Sequence, residues 1–370
     1  MRVSVVDPSA YTWHYDHALC TALAEAGVRV ELATSRFAYG EVPPPAGYAL
    51  NECFYRHARG PAGSPLRRAT KLLEHVPDML GYRRHAHATA DVVHFQWLDV
   101  QYVDVFLLPD RPLVLTAHDL LPRESRPGQT RAQLALLRRV DALITHSEYG
   151  RRQLVERFGL PDAKVHVAPL GAYAHTVDPA DPVALPAELA AVDQGTPVVL
   201  FFGLLRPYKG LDTLLDAWRG ITGAELWIVG RPMMDLAPLK AAAPRSVRFV
   251  DRFVPEAQIA AYFQRADAVV LPYVNTERFD ASGVLGTALA FGDPLVVSDI
   301  GGFSEVAATG AAELVAPENP DALRDALQRL IDDVARRSAM SEAARAAAAG
   351  PFSWPEAARR TLAVYESIAA

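Results

Sequence analysis

Short apolar runs broken by polar or glycine-containing segments recur along the whole chain. Val3 to Val6 is one such run, and it stops at Asp7-Pro8. His17 to Ala26 has helical character and ends at Gly27, a residue suited to leaving a helix. Val28 to Ala33 reads as the next strand. The spacing predicts further strands at Asp91–Phe95, Pro112–Ala117, Ala142–Thr145 and Lys164–Ala168, with a basic helical stretch between Gly60 and Ala90. Alternation of strand and helix is the pattern of a doubly wound α/β domain.

The rhythm is interrupted between Ala172 and Pro197, where Asp178-Pro179, Asp181-Pro182 and Pro186 break any regular element. It then starts afresh. Strands are expected at Val198–Phe202, Glu225–Val229, Val247–Val250, Ala268–Leu271 and Leu295–Val297. Helices are expected at Leu211–Trp218, Pro255–Arg265 and Val284–Phe291. An alanine-rich helical tail covers Pro320–Ala349, and a last helix follows Gly350-Pro351 over Pro355–Ile368. The pattern therefore predicts a first domain over residues 1–172, a linker over 173–196 and a second domain over 197–352.

Composition narrows the classes. With 370 residues, half of them hydrophobic, each half has enough apolar material for a core of its own. A net charge of -6 speaks against a general nucleic-acid binder. Cys20 and Cys53 are too few for a disulfide framework and lack metal-ligand spacing, so a reducing cytoplasm is the simplest compartment. The opening MRVSVVDPSA reads as a first strand and not as a secretory signal. No uninterrupted apolar run is long enough to span a bilayer.

Candidate chemistry concentrates in the second half. Phe202-Gly203-Leu204-Leu205-Arg206-Pro207-Tyr208-Lys209-Gly210 ends a strand in glycine and sets two cations three residues apart before an amphipathic helix. Strand carboxyl ends are where such sheets bind ligands. A guanidinium grips phosphate oxygens through a two-pronged fork, and an ammonium adds a point charge. Taken singly, Arg206 and Lys209 read as solvated loop cations; together, between glycines at a strand end, they favour a phosphate site. Downstream, Leu271-Pro272-Tyr273 ends another strand, and Asp280-Ala281-Ser282-Gly283-Val284 opens a helix. The free N–H groups of a helix start form an anion site, although Ser-Gly there also reads as a plain cap.

These segments resemble the family 4 glycosyltransferases, the retaining family with the GT-B fold. The resemblance is close from Val198 to Glu305 and looser before Ala142. It implies two Rossmann-like, doubly wound domains facing each other across a cleft, with the C-terminal helix (353–370) crossing back to the first. The first domain would hold the acceptor and the second the nucleotide-diphosphate sugar. The implied reaction is transfer of a hexosyl-type sugar to an acceptor hydroxyl with retention at the anomeric carbon, without an obligatory metal or other cofactor. The absence of an Asp-x-Asp motif agrees.

Residue by residue, the family's diphosphate-contacting arginine and lysine match Arg206 and Lys209, with Gly203, Ser282, Gly283, Val284 and Glu305 completing the donor set. Most members carry two glutamates seven residues apart around this loop. Here Thr287 stands at the second position, and the first falls on Asp280 across a one-residue gap, with Glu277 as the other candidate. The Ser-Gly-Val form resembles a subgroup of the family. His118, in Thr116-Ala117-His118-Asp119, matches a family histidine that points into the cleft near the donor sugar, and with Asp280 it is the catalytic candidate.

For the acceptor, Tyr11, Trp13 and Asp16 stand in the first loop, where many relatives have paired glycines; they would stack on a sugar or pack the loop. His94 would line an acceptor pocket or pack within the domain. Ser147 reads as a helix cap, with its helix running to Phe158, and Gly171 as a point of close backbone–ligand approach. Arg67, Arg68, Lys71, Arg83, Arg84, His85 and His87 make a basic face. That face is ordinary solvated surface, or it contacts an anionic acceptor or the inner membrane surface peripherally. The acceptor would be a sugar, a lipid-linked molecule or a small metabolite. Two other functions stay open on the sequence: a nucleotide-sugar epimerase of the same fold, and a non-catalytic nucleotide-sugar-binding subunit. A dinucleotide dehydrogenase is poorly supported, because no G-x-G-x-x-G follows either first strand.

Overall fold

The computed structural model describes residues 1–38, 40–61, 63–120, 127–172, 183–274 and 281–369. In chain order the elements are β1 (Arg2–Asp7), α1 (Trp13–Glu25), β2 (Arg29–Ser35), β3 (Ala49–Phe54), α2 (Pro65–Thr89), β4 (Val92–Phe95), α3 (Gln101–Leu107), β5 (Leu113–Thr116), α4 (Gln129–Arg139), β6 (Ala142–Thr145), α5 (Glu148–Arg152) and β7 (Val165–Val167). The series continues with α6 (Ala187–Ala190), β8 (Val198–Phe202), α7 (Leu211–Trp218), β9 (Glu225–Val229), α8 (Ala237–Ala242), β10 (Val247–Val250), α9 (Glu256–Arg265) and β11 (Ala268–Leu271). It closes with α10 (Gly283–Phe291), β12 (Leu295–Ser298), α11 (Phe303–Ala307), β13 (Ala312–Val315), α12 (Pro320–Asp332), α13 (Val334–Ala349) and α14 (Trp354–Ala369). The chain divides into two units, Met1–Gly171 with Trp354–Ala370, and Ala172–Ser353.

Each unit is a parallel sheet clothed by helices. The first has seven strands in the order β3-β2-β1-β4-β5-β6-β7. The second has six, in the order β10-β9-β8-β11-β12-β13. Helices on both faces leave central strands such as β8 and β11 no polar position, which is why short uninterrupted apolar runs announce them. Along β8, Val198 and Leu200 face one core with Trp227 and Val269, whereas Val199 and Phe201 face the other with Leu214 and Trp218. In both sheets the strand order reverses direction beside the first strand, between β1 and β4 and between β8 and β11. The crevice outside the strand ends at such a switch point is where ligands bind.

Departures from the expected elements have local causes. The edge strand β3, Ala-Leu-Asn-Glu-Cys-Phe, is only half-buried and carries too few apolar positions to show itself in the pattern. The helical tail is two helices, split at Asp333, whose side chain caps α13 by accepting from the Arg336 N–H. Ser147 does cap its helix, accepting from Gly150 N–H at 2.9 Å, but after α5 the backbone widens into a π-type turn over Gln153–Arg157. Half of the expected linker belongs to the second unit, because Leu189 of α6 is 1% exposed in its core; residues 173–182 lie outside those described. A side chain at Gly171 would lie 2.4 Å from the Trp354 ring. The close approach foreseen there is therefore made by the start of α14 and not by a ligand. Among the described residues no helix is long and apolar enough to cross a membrane.

Candidate active site

In the second unit the site begins at Gly203, directly after β8. Its φ of +107° suits a residue without a side chain, and a Cβ there would sit 2.9 Å from Lys209 Nζ and 3.2 Å from Val284 Cγ2. One glycine thus separates the lysine ammonium from the first turn of α10. Gly210 brings the loop back, with a φ of +72° and its Cα so close to β11's exit that a Cβ would be 1.8 Å from Pro272 O. Sequence-distant segments are locked together in this way at the switch point.

Lys209 is buried, at 6% exposure. Its Nζ lies 3.5 Å from Phe202 O, 5.1 Å from the centre of the Tyr273 ring and 6.0 Å from that of Phe201. The Tyr273 hydroxyl in turn lies 3.2 Å from Ser282 Oγ, at the entry to α10. Arg206 accepts the Lys209 N–H through its carbonyl, and its own Nε is buried without a hydrogen-bond partner among the described residues. A buried guanidinium nitrogen left unpaired is costly unless a ligand serves it. The first N–H groups of α10 add their dipole to the two cations. The structure brings Gly203, Lys209, Ser282, Gly283 and Val284 together. Glu305 is half-buried on α11, whose Phe303 ring lies 5.7 Å from Tyr273. Glu277 and Asp280 lie outside the described residues. Thr287 is buried, and its hydroxyl donates to the Gly283 carbonyl of its own helix at 3.1 Å.

In the first unit the strand ends carry aromatics and histidines. His118, after β5, has Nε2 3.0 Å from Gln96 Oε1 and Nδ1 3.0 Å from His146 Nε2. The Trp97 ring stacks on it at 5.0 Å and 14°, and Tyr15 meets it edge-on at 4.8 Å. Burial, then the neighbouring His146 and His94, holds its pKa well below the ordinary histidine range. It is neutral at pH 7. Trp97 is pinned by Nε1–H donating to Thr12 Oγ1 at 3.0 Å, and on its other side Tyr11, 69% exposed, lies 5.0 Å away.

Three expected acceptor residues are corrected here by burial. Trp13 is 1% exposed in the core of the first unit, and its ring offers no face to a ligand. Asp16 is fully buried and held by Thr12 and Asp7. Burial and the adjacent Asp7 raise its pKa far above the carboxylate range, so it keeps its proton. Asp7 itself accepts the Ser9 and Thr12 N–H groups, and burial lifts it to about 6. His94, also fully buried, lies between the Tyr365 hydroxyl at 2.6 Å and Thr116 Oγ1 at 2.7 Å, with its pKa pushed down to about 3 by burial. Trp97, Gln96 and His146 were missed in the sequence, because their roles arise from neighbours far away in the chain. The one available signal was their position just past strands β4 and β6.

The model described as "Glycosyltransferase Family 4" matches residues 15–173, and that described as "Glycosyl transferases group 1" matches residues 196–333. The D-inositol 3-phosphate glycosyltransferase 1 of Catenulispora acidiphila is 30% identical over 93% of this chain and 87% of its own. The chain belongs to glycosyltransferase family 4. The GT-B fold is shared with sucrose-phosphate synthase of Thermosynechococcus elongatus, at a TM-score of 0.75 and 19% identity over 99% of this chain and 98% of that one. It is shared equally with Anabaena HepE, solved in complex with UDP-glucose, at a TM-score of 0.75 and 18% identity over 99% of this chain and 100% of that one. As a family 4 glycosyltransferase the chain is a nucleotide-sugar-dependent transferase. The cradle around Gly203 lies inside the part matched by the group 1 model.

Proposed function

We propose that this family 4 glycosyltransferase moves a sugar from a nucleoside-diphosphate sugar to an acceptor hydroxyl with retention of anomeric configuration. The observation that carries the donor half is the cradle at Gly203, where a buried ammonium and the first turn of α10 meet at one side-chain-free position, in a loop whose Arg206 has a buried Nε without a hydrogen-bond partner among the described residues. Leaving-group charge builds on the diphosphate as the glycosidic bond stretches, and these fixed positive groups stabilise it without reorganising. UDP is the base to test first, since HepE was solved with UDP-glucose. Arg206 and Lys209 grip the diphosphate; Glu305 and the carboxylates Glu277 and Asp280 are assigned to the sugar and ribose hydroxyls.

In the first unit the acceptor ring rests on Tyr11 and Trp97, the exposed end of the aromatic stack. His118 acts as a neutral positioning residue beneath it, because both its ring nitrogens are already engaged. The relatives named for inositol phosphate make a polyol or sugar the first acceptor class to try.

The test is incubation of the purified enzyme with UDP-, GDP- and dTDP-sugars and a panel of polyol and sugar acceptors, with the product anomer read by NMR. Retained configuration in an acceptor-dependent product is the expected result. Product without acceptor would make the enzyme an epimerase, an inverted anomer would remove the retaining assignment, and binding without turnover would make it a non-catalytic subunit.

A further inference from the structure

The loops that follow β1 and β4 carry a polar cluster beside the aromatic pair of the first unit. Ser9 stands two residues before Tyr11, and Asp99 two residues after Trp97. Ser9 donates its hydroxyl to Asp99 Oδ2, and Lys71 Nζ, reaching in from α2, donates to Ser9 Oγ at 3.1 Å. Lys71 is one of the cations that the sequence groups on a basic face. It lies half-buried instead, with its ammonium 4.7 Å from the centre of the Tyr55 ring.

The Asp99 carboxylate is held from behind. Tyr55 Oη donates to Asp99 Oδ2 at 3.2 Å and lies 2.7 Å from His75 Nδ1. His75 Nε2 lies 2.5 Å from Asp104 Oδ1, and both residues are buried. Asp104 Oδ2 accepts the N–H of Val100, the residue after Asp99, at 2.8 Å. The series Asp104, His75, Tyr55 thus fixes both the side chain of Asp99 and the loop that carries it. Ala10 and Tyr55 take φ of +52° and +51°, a region that residues with side chains rarely occupy and that clusters at binding sites. Two capacities stay unspent. Asp99 is exposed, and its Oδ1 has no hydrogen-bond partner among the described residues. Lys71 uses one of the three N–H groups of its ammonium among those residues.

We propose that Asp99 and Lys71 are specificity residues of the acceptor site and select an uncharged ring with neighbouring hydroxyls. One hydroxyl donates to Asp99 Oδ1, its neighbour accepts from Lys71 Nζ, and the ring lies on Tyr11 and Trp97. The pairing of charges decides the class. A phosphate or carboxylate on the acceptor would meet Asp99, and an ammonium would meet Lys71. A diol is donor and acceptor at once and answers both. A ring without adjacent hydroxyls would leave one of the two charges desolvated and unpaired. The inference rests on the proposed acceptor surface at Tyr11 and Trp97 and narrows its substrate class.

The experiment is ligand-observed NMR titration of the full chain, held with UDP, against probes of three kinds. Myo-inositol and methyl glucoside are the uncharged diols, inositol monophosphate the anion and methyl glucosaminide the cation. The wild type is expected to bind an uncharged probe more tightly than either charged one. Asp99→Asn should weaken that binding about tenfold, and Lys71→Met about as much. The preference should also move in opposite senses, toward the phosphate in Asp99→Asn and toward the amine in Lys71→Met. A purely structural role would not produce opposite shifts. Melting followed by circular dichroism and an unchanged UDP affinity show that the variants are folded. A wild type that binds neither uncharged probe, or prefers a charged one, overturns the proposal. So do variants that bind the uncharged probes as the wild type does, or that weaken every probe alike. Loss of binding in Tyr11→Ala but not in Asp99→Asn overturns it and leaves the aromatic surface standing. Because binding is read and not turnover, failure of the transfer reaction would register separately.

Discussion

At the end of β8 a glycine clears a space between an ammonium and a helix start. At the ends of β4 and β5 the histidines are instead engaged on both ring nitrogens: His94 between Thr116 and Tyr365, and His118 between Gln96 and His146. The two units share a sheet design and put polar chemistry at the same point of it. One sets positive charge beside a side-chain-free position; the other engages its histidines with neighbouring polar groups and offers an aromatic surface. A phosphate is recognised by charge and can be met by a few rigid groups, whereas a sugar ring is met by a flat apolar face with hydroxyls around it.

The comparison breaks most visibly if the rigidity of the cradle is false. Gly210→Ala adds a Cβ 1.8 Å from Pro272 O at a φ of +72°. It should destabilise the second unit by about 4 kcal/mol, from left-handed strain and backbone overlap together. Chemical denaturation reads this, and a change under ~1 kcal/mol would mean that the loop is not held as described. Next in size, Lys209→Ala or Arg206→Ala should raise the free energy of donor capture by roughly 2–4 kcal/mol, a loss of about thirtyfold to several hundredfold in kcat/KM, with melting temperature little changed. Unaltered kinetics in both would remove the cradle as the donor site.

The buried network of the first unit predicts a pH effect. The folded pKa of His94 is about 3, against an ordinary 6.5, so the unfolded chain binds its proton first. Its share of stability is present above pH 6.5 and is lost as the pH falls toward 3, amounting to about 2 kcal/mol between pH 7 and 5. Asp7, raised to about 6, works in the opposite direction, losing stability as the pH rises from 3.8. Comparing wild type with His94→Gln at both pH values isolates the histidine, and the variant should show the smaller acid loss. Equal acid slopes would contradict the buried, neutral assignment. Smaller again, His118→Ala should lower kcat about tenfold while donor Kd holds, as expected for a group that positions the reacting partners. A collapse of donor affinity would make it a binding residue. Smallest, Tyr11→Ala should raise acceptor KM about fivefold, the value of one aromatic face, with kcat unchanged. No change in KM would leave Tyr11 outside the acceptor site.

The same contrast explains what could be seen in the sequence. The cradle is built from two short segments, Gly203–Gly210 and Ser282–Val284, each read continuously along the chain, and the cations stand three residues apart in one of them. Parallel strands such as β8 and β11 were legible because burial on both faces leaves no polar position. The surface of the first unit joins Tyr11, Trp97, His118 and His146 from four strand-end loops, and no local pattern links them. Trp13 and Asp16 misled for a related reason: a residue following a strand end in sequence is not thereby in the crevice, and α1 begins at Trp13, turning both into the core. Their burial follows from the helix register of α1, which the aromatic loop disguised.

One consequence lies in the order of synthesis. The first unit owns both ends of the chain, and α14 supplies Trp354 to Gly171 and Tyr15, and the Tyr365 hydroxyl to His94. A ribosome therefore completes every residue of the second unit before it has made the helix that closes the first. Until then the first unit has an open seam along Leu19, Ile144 and Ala168, which share a core with Tyr365, and a buried imidazole lacking one of its partners. The half of the molecule translated earliest is the last to be sealed.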